Sequence, residues 1–311
     1  PLEAMGATVL SRSGGRLPLA LTGQVDLLPI SWRSPVASAQ IKSAVLFAGL
    51  HAPGRTTVIE PLASRDHTER MLASMGAKLS SGAADGGWAV ELEGEPELRP
   101  QTFTVPADPS SAAFPLVAAV VAAESAVTIR DVSINPLRTG LLTTLLEMGA
   151  DITLVNERLA AGEPVADLVV QASALRAVDV PPERAPSMID EYPILAVAAA
   201  FASGTTRMRD LGELRVKESD RLVGTARGLE ACGVDVAIEG DDLLVTGPVR
   251  ATRATTIDAQ HDHRMAMSFL VLGGLGSAAI SVAGAETILT SFPGFPELMN
   301  ELGASIAEVA P

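Results

Sequence analysis

Cysteine is nearly absent: Cys232 is the only one in 311 residues. A single thiol can form neither an intrachain disulfide nor a cysteine metal cluster. Aromatics are scarce as well, at 3% against 47% hydrophobic residues. The core must therefore be built from Ala, Val, Leu and Ile, which suits closely packed Ala-rich helices. No stretch of about 18 residues is free of polar groups, which argues against a membrane span. Positive charge is in short supply, with 23 Lys and Arg against 37 Asp and Glu and a formal net charge of −14. Such a chain lacks the broad basic face that nucleic acid demands. Anionic small molecules stay allowed, provided their Lys and Arg contacts are gathered locally. No charged-then-apolar leader opens the chain, and the first residue is Pro1. The expectation is a soluble cytoplasmic protein whose beginning is missing or was removed, long enough for two domains.

What is present is a repeat. An apolar helical stretch ending in Gly and followed by a short strand occurs at Pro1–Leu10, Met71–Leu79, Leu145–Leu154, Leu229–Ile238 and Leu298–Ile306. The glycines are Gly6, Gly76, Gly149, Gly233 and Gly303. Gly just past a helix supplies the left-handed conformation that ends it. Between these marks an Ala-rich helix, a small turn and a β-branched strand recur at Ser38–Glu60, Ser110–Asp131, Glu191–Asp210 and Arg264–Ala283. A further strand follows each Gly-terminated helix, as at Trp88–Leu92 and Leu243–Thr246. The pattern predicts an α/β (α+β) fold of βαβαββ units, each about 70 residues long. The first copy enters at its second helix, so its packing partners are expected upstream.

The densest polar cluster is Arg215–Leu222, read as opening a helix with Lys217 and Arg221 on one face. Ser219 and Asp220 are placed to cap free N–H groups there, and helix N-termini attract anions. Asp190 and Glu191 precede the third Ala-rich helix, where capping alone would explain an acid. His261-Asp262-His263-Arg264, Asp108-Pro109-Ser110-Ser111 and Ser38-Ala39-Gln40 hold the same place in the other units. Equivalent helix starts face the same way, so these polar groups are expected to converge. Other signals carry less. His261 and His263 have no third ligand at fitting spacing, so a metal site is not indicated. Cys232 takes the place of Met5, Met75, Met148 and Leu302 in the sister copies, which reads as core packing. Neither a nucleophile elbow nor a Gly-rich phosphate loop is present.

Five motifs in order, Ser38-Ala39-Gln40-Ile41-Lys42-Ser43-Ala44, Arg65-Asp66-His67-Thr68-Glu69, Asp190-Glu191-Tyr192-Pro193, Arg215–Leu222 and Asp262–Met267, resemble those of the 5-enolpyruvylshikimate-3-phosphate synthase family. The wording is closest to the bacterial class II group. The resemblance implies a two-domain enolpyruvyl transferase architecture, an inside-out α/β barrel of repeated βαβαββ units that closes on substrates. Residues 1–106 would be the later half of an incomplete N-terminal domain, and 107–311 a C-terminal domain of three units. The implied reaction moves the enolpyruvyl group of phosphoenolpyruvate to the 5-hydroxyl of shikimate 3-phosphate and releases phosphate, with no metal or organic cofactor. Glyphosate is implied as an inhibitor and a monomer as the complete state, with no nucleic-acid or membrane partner.

By the same resemblance, Ser38, Ala39 (through its backbone), Gln40 and Arg65 contact shikimate 3-phosphate. Asp190 accepts from its hydroxyls and takes the proton of the attacking one, and Lys217 binds near the reacting centre. Arg221 and Arg264 clamp phosphoenolpyruvate, Glu218 protonates its methylene carbon, and His263 is a neighbour. Two departures stand out. The family's Gly–Asp–Lys–Ser segment and its Asn–Ala stretch with an Arg have no counterpart, and Thr290 stands where many members carry Lys. The chain alone is therefore expected to have little or no activity. Two alternatives stay open: a UDP-sugar enolpyruvyl transferase, which would want a reactive loop cysteine, and a non-catalytic repeat-built binding protein.

Overall fold

The computed structural model describes residues 1–249 and 252–309. All five marker glycines adopt positive φ, from 90° at Gly233 to 106° at Gly6. At each, the next residue's N–H reaches the carbonyl five residues back: Ala7 to Leu2, Ala77 to Leu72, Ala150 to Leu145, Val234 to Leu229 and Ala304 to Met299. That bond is the Schellman stop, which a Cβ at the glycine would strain. The first copy differs from expectation in being a single turn over residues 2–6 rather than a helix. It leads into an exposed hairpin of β1 (Thr8–Arg12) and β2 (Arg16–Thr22).

The next repeat is complete: β3 (Ser31–Arg33), α1 (Ala39–Gly49), β4 (Arg55–Glu60), α2 (His67–Ser74), β5 (Leu79–Ala84) and β6 (Gly87–Glu93). Its sheet runs β3-β4-β6-β5, with β3 and β4 parallel and the other pairs antiparallel. The following repeat has α3 (Pro109–Val121), β7 (Ala126–Ser133), α4 (Gly140–Glu147), β8 (Asp151–Ala160) and β9 (Glu163–Gln171). Its opening strand shrinks to one parallel bridge, Ala107 to Val132. The third comprises β10 (Asp179–Val180), α5 (Tyr192–Phe201), β11 (Gly204–Met208), α6 (Arg221–Ala231), β12 (Asp235–Glu239) and β13 (Asp242–Gly247). Its sheet order, β10-β11-β13-β12, repeats that of the first complete unit. The last has β14 (Thr255–Asp258), α7 (His263–Leu275), β15 (Ile280–Ala283) and α8 (Phe295–Glu301). No strand follows Gly303 among the described residues, against expectation.

The chain divides into two compact units, residues 1–105 with 159–163, and residues 106–158 with 164–311. Residues 159–163, which the expected 106/107 boundary assigns to the second domain, go with the first unit. In the second unit α3, α5 and α7 lie inside. α5 is buried from Tyr192 to Ala200, and α3 and α7 pack against it. Ala side chains make such close approach cheap, and each buried Val or Leu among them contributes about 1.5–3 kcal/mol. The first unit has its own smaller core, around Val45, Leu46, Val58, Leu72, Val90 and Leu92. Among the described residues no helix is long and apolar enough to cross a membrane.

Candidate active site

In the second unit the polar starts of α3, α5, α6 and α7 meet in one hydrogen-bonded network. Arg221, the first residue of α6, is fully buried. Its Nε donates to Asp262 Oδ2 at 2.7 Å, and Nη2 to Asp262 Oδ1 at 3.2 Å. Nη1 lies 3.2 Å from Asp190 Oδ1, and Nη2 also lies 2.5 Å from Glu218 Oε2. Asp262, itself fully buried, caps α7 by accepting the N–H groups of Arg264 and Met265. Burial pushes the Asp262 carboxyl up, but Arg221, Ser219 and the Arg264 N–H outweigh it and hold it below the usual carboxylate range. Arg264 donates through Nη1 to the Asp190 carbonyl and to Glu191 Oε1, both at 3.4 Å. Glu191 accepts a short bond from Ser110 at the start of α3. Arg138 donates to Ser110 Oγ at 2.7 Å and to Asp108 Oδ1 at 3.2 Å.

Three expectations fail in detail. Arg215–Leu222 does not open a helix as a block: a 3₁₀ turn spans Gly212–Val216, and α6 begins at Arg221. The Ser219 hydroxyl donates to Asp262, whereas Asp220 is the N-cap, as read from sequence, accepting from Val223 N at 3.0 Å. Lys217 stands before it in extended backbone, so it shares no helical face with Arg221, and its ammonium pairs with Glu213. Asp190 and Glu191 are not caps either, since α5 has no side-chain cap bond. Their carboxylates serve the arginines instead. Burial, partly countered by Arg264, Ser110 and Arg138, pushes the Glu191 carboxyl above its ordinary value. A carboxyl raised on folding contributes most below its unfolded pKa, and that contribution is lost as pH rises through the folded one. Glu191→Gln, which mimics the neutral form, is therefore expected to raise the melting temperature at pH 7. The gain should shrink to nothing below the unfolded value near 4.5, as calorimetry across pH would show.

His263 opens α7, half-buried, and burial together with Arg264 holds its imidazole below the ordinary range. It is neutral at pH 7 and free to donate or accept without adding charge.

The first unit carries its own polar group. Ser38 caps α1 by accepting from Ile41 N at 3.4 Å and donates to Gln40 Oε1 at 3.3 Å. Ala39 is half-buried and Gln40 exposed on the first turn. Arg65 follows Ser64 in the loop between β4 and α2. Beneath them lies a cluster not anticipated from sequence: Lys42, 1% exposed, with its Nζ 3.1 Å from Glu60 Oε2 and 2.8 Å from Glu69 Oε1. Burial, against Lys42's opposing charge, pushes the Glu69 carboxyl up.

Comparison with known proteins identifies the family. The family model for EPSP synthase (3-phosphoshikimate 1-carboxyvinyltransferase) matches residues 1–299. The chain belongs to the EPSP synthase family. It is 59% identical over 309 residues to the 3-phosphoshikimate 1-carboxyvinyltransferase of Rhodospirillum rubrum, covering 99% of this chain and 68% of that protein. The enzyme of the same name from Paramagnetospirillum magneticum is likewise 59% identical, over 99% of this chain and 69% of its own length. Among solved structures, EPSP synthase from Acinetobacter baumannii superposes with a TM-score of 0.90 at 40% identity, over 98% of this chain and 69% of that one. The enolpyruvyl transferase NikO from Streptomyces tendae, at TM-score 0.76 and 21% identity over 100% of this chain and 71% of that one, shares the fold. The architecture is thus the mixed α/β fold of EPSP synthases, and the chain spans somewhat over two thirds of its relatives' length.

Of the residues read from sequence, the structure brings together Asp190, Glu218, Arg221 and Arg264, with His263 adjacent in chain. Lys217 is turned to Glu213, and Ser38, Ala39, Gln40 and Arg65 are on the first unit. Sequence reading overlooked the roles of Asp262, Glu191 and Arg138. Asp262 sits inside a quoted motif, and its place one residue before α7 was the available signal.

Proposed function

We propose that this chain binds shikimate 3-phosphate and phosphoenolpyruvate and serves transfer of the enolpyruvyl group to the 5-hydroxyl, with release of phosphate. The observation that carries this reading is the network joining Asp190, Arg221 and Arg264 at the starts of three helices. Asp190 accepts from ring hydroxyls and takes the proton of the attacking one, a role worth roughly 10²–10⁴-fold for a positioned base. Arg221 and Arg264 hold phosphoenolpyruvate, whose carboxylate and phosphate match the guanidinium fork better than an ammonium. The Asp262 pairing fixes Arg221 through Nε and Nη2, and a bound anion shares Nη1 with Asp190 and Nη2 with Glu218.

Protonation of the methylene carbon gives the adjacent carbon cationic character, and the hydroxyl oxygen bonds to it. Loss of phosphate and of one methyl proton then restores the double bond. Glu218, half exposed beside Arg221 Nη2, is assigned as the proton donor. Lys217 reaches the substrate by releasing Glu213, which is 59% exposed. Exposed pairs are worth only about 0–1 kcal/mol, so the exchange costs little. His263 contributes a neutral hydrogen-bonding edge. On the first unit, Ser38, the Ala39 backbone, Gln40 and Arg65 are assigned to shikimate 3-phosphate. Inhibition by glyphosate, a cytoplasmic location and a monomeric complete protein belong to the same reading.

The UDP-sugar alternative is disfavoured by Cys232, which is fully buried and whose thiol burial pushes up to about 11. Calorimetric titration discriminates. Heat saturating at one site with shikimate 3-phosphate, and none with a UDP-sugar, is expected. Heat with the UDP-sugar alone, or with neither, would sink the proposal.

A further inference from the structure

We infer that Lys42 is a positioning residue, clamping together the two segments of the first unit assigned to shikimate 3-phosphate. The inference rests on that assignment for its functional half. Lys is normally a surface residue, yet here it occupies the buried stripe of α1 with Val45, Leu46 and Gly49. The alternation of β4 turns Thr56, Val58 and Glu60 inward, so the strand's last inward residue is a carboxylate. α2 brings Glu69 from a third direction. The ammonium donates to the Ser64 carbonyl at 3.1 Å and lies within ion-pair distance of Glu60 Oε2, at 3.1 Å, and Glu69 Oε1, at 2.8 Å.

The second tier of contacts shows what the clamp controls. Glu60 Oε1 accepts the Ser38 N–H at 2.9 Å and the Ser64 hydroxyl at 2.8 Å. Ser38 begins α1 and fixes the turn that carries Ala39 and Gln40. Ser64 immediately precedes Arg65, and its carbonyl is held by Lys42 itself. A second bridge, Ser43 Oγ to Thr68 Oγ1 at 2.7 Å, ties the same turns of the two helices. One buried cation thus sets the spacing between the helix start at Ser38 and the loop at Arg65. A charge pair buried this deeply is weak evidence for stability, since apolar replacement often does as well. Fixed geometry is what it supplies.

The test compares the full chain with Lys42→Met and Lys42→Arg. Trp32 and Trp88, the only tryptophans, both lie in the first unit, so their emission reports whether that unit stays folded. In whichever variant keeps native emission, amide exchange at residues 38–43 and 64–69 is expected to rise at least tenfold together, with residues 87–93 unchanged. Affinity for shikimate 3-phosphate by calorimetry is expected to fall about tenfold for Lys42→Met. Lys42→Arg, whose planar fork cannot serve three directions, should lose at least threefold. Unchanged exchange at either segment overturns the clamp, whether or not the ligand binds. Raised exchange with unchanged affinity overturns the positioning role. Absence of binding by the unsubstituted chain would instead count against the substrate assignment, while the exchange result still decides the clamp.

Discussion

Replacing Arg221 with methionine is expected to cost about 3–5 kcal/mol of stability, because it strands buried acid without its cation. Asp262 is fully buried and spends both oxygens on Arg221, with Ser219 and two N–H groups of α7 as its remaining partners. Asp190 and Glu218 lose the same partner but are wetter, so the cost concentrates on Asp262. The pH dependence follows from the sign of the shift. A carboxyl held below its unfolded value contributes stability that is present above the unfolded pKa and lost as pH falls through the folded one. Stability of the parent chain should therefore fall on acidification below the ordinary aspartate value of 3.8. In Arg221→Met the same carboxyl is buried without its cation, so protonation relieves it and the deficit narrows as the solution becomes acidic. Adding Asp262→Asn, which keeps an oxygen for the α7 cap, should recover most of the loss at pH 7. Urea denaturation of the three chains across pH measures all of this. An Arg221→Met chain as stable as its parent at neutral pH would show that the ion cluster is not holding the helix starts together.

Asp190→Ala should weaken shikimate 3-phosphate binding by about 10- to 100-fold, while leaving phosphoenolpyruvate binding equal or tighter. A charge-assisted hydrogen bond is worth about 1.5–3 kcal/mol, and the carboxylate is the proposed acceptor for the sugar-like hydroxyls. Phosphoenolpyruvate has no hydroxyl to donate. Removing the Asp190 carboxylate also frees Arg221 Nη1, now 3.2 Å from Oδ1, for an anion. Opposite signs for two ligands of one site are hard to produce by general loosening. Titrating each ligand separately into both chains provides the comparison, and equal weakening of the two would remove Asp190 from its assigned role.

How much of this was legible in the sequence differs from element to element. The five glycines were, because a Schellman stop needs a residue that tolerates positive φ and the interval repeats. The convergence of helix starts was also legible, since it follows from stacking equivalent units. The grouping of Lys217 with Arg221 was misread because a spacing of four residues implies one face only within a continuous helix. Asp220 captures the Val223 N–H and begins the helix after Lys217. Capping was a sufficient account of Asp190 and Glu191 on sequence, but Tyr192-Pro193 starts α5 without a side-chain cap, which leaves both acids to the guanidiniums. Lys42 was hidden because its ammonium is neutralised by Glu60 and Glu69, 18 and 27 residues further along the chain. No local pattern announces a buried charge whose partners come from other elements.

A crystal structure of the chain soaked with shikimate 3-phosphate tests the account most directly. A ring hydroxyl within about 3.2 Å of an Asp190 carboxylate oxygen, with Arg221 still paired to Asp262, is the predicted result. Density for the ligand at any place away from Asp190, with Asp190 and Arg221 undisturbed, would contradict it.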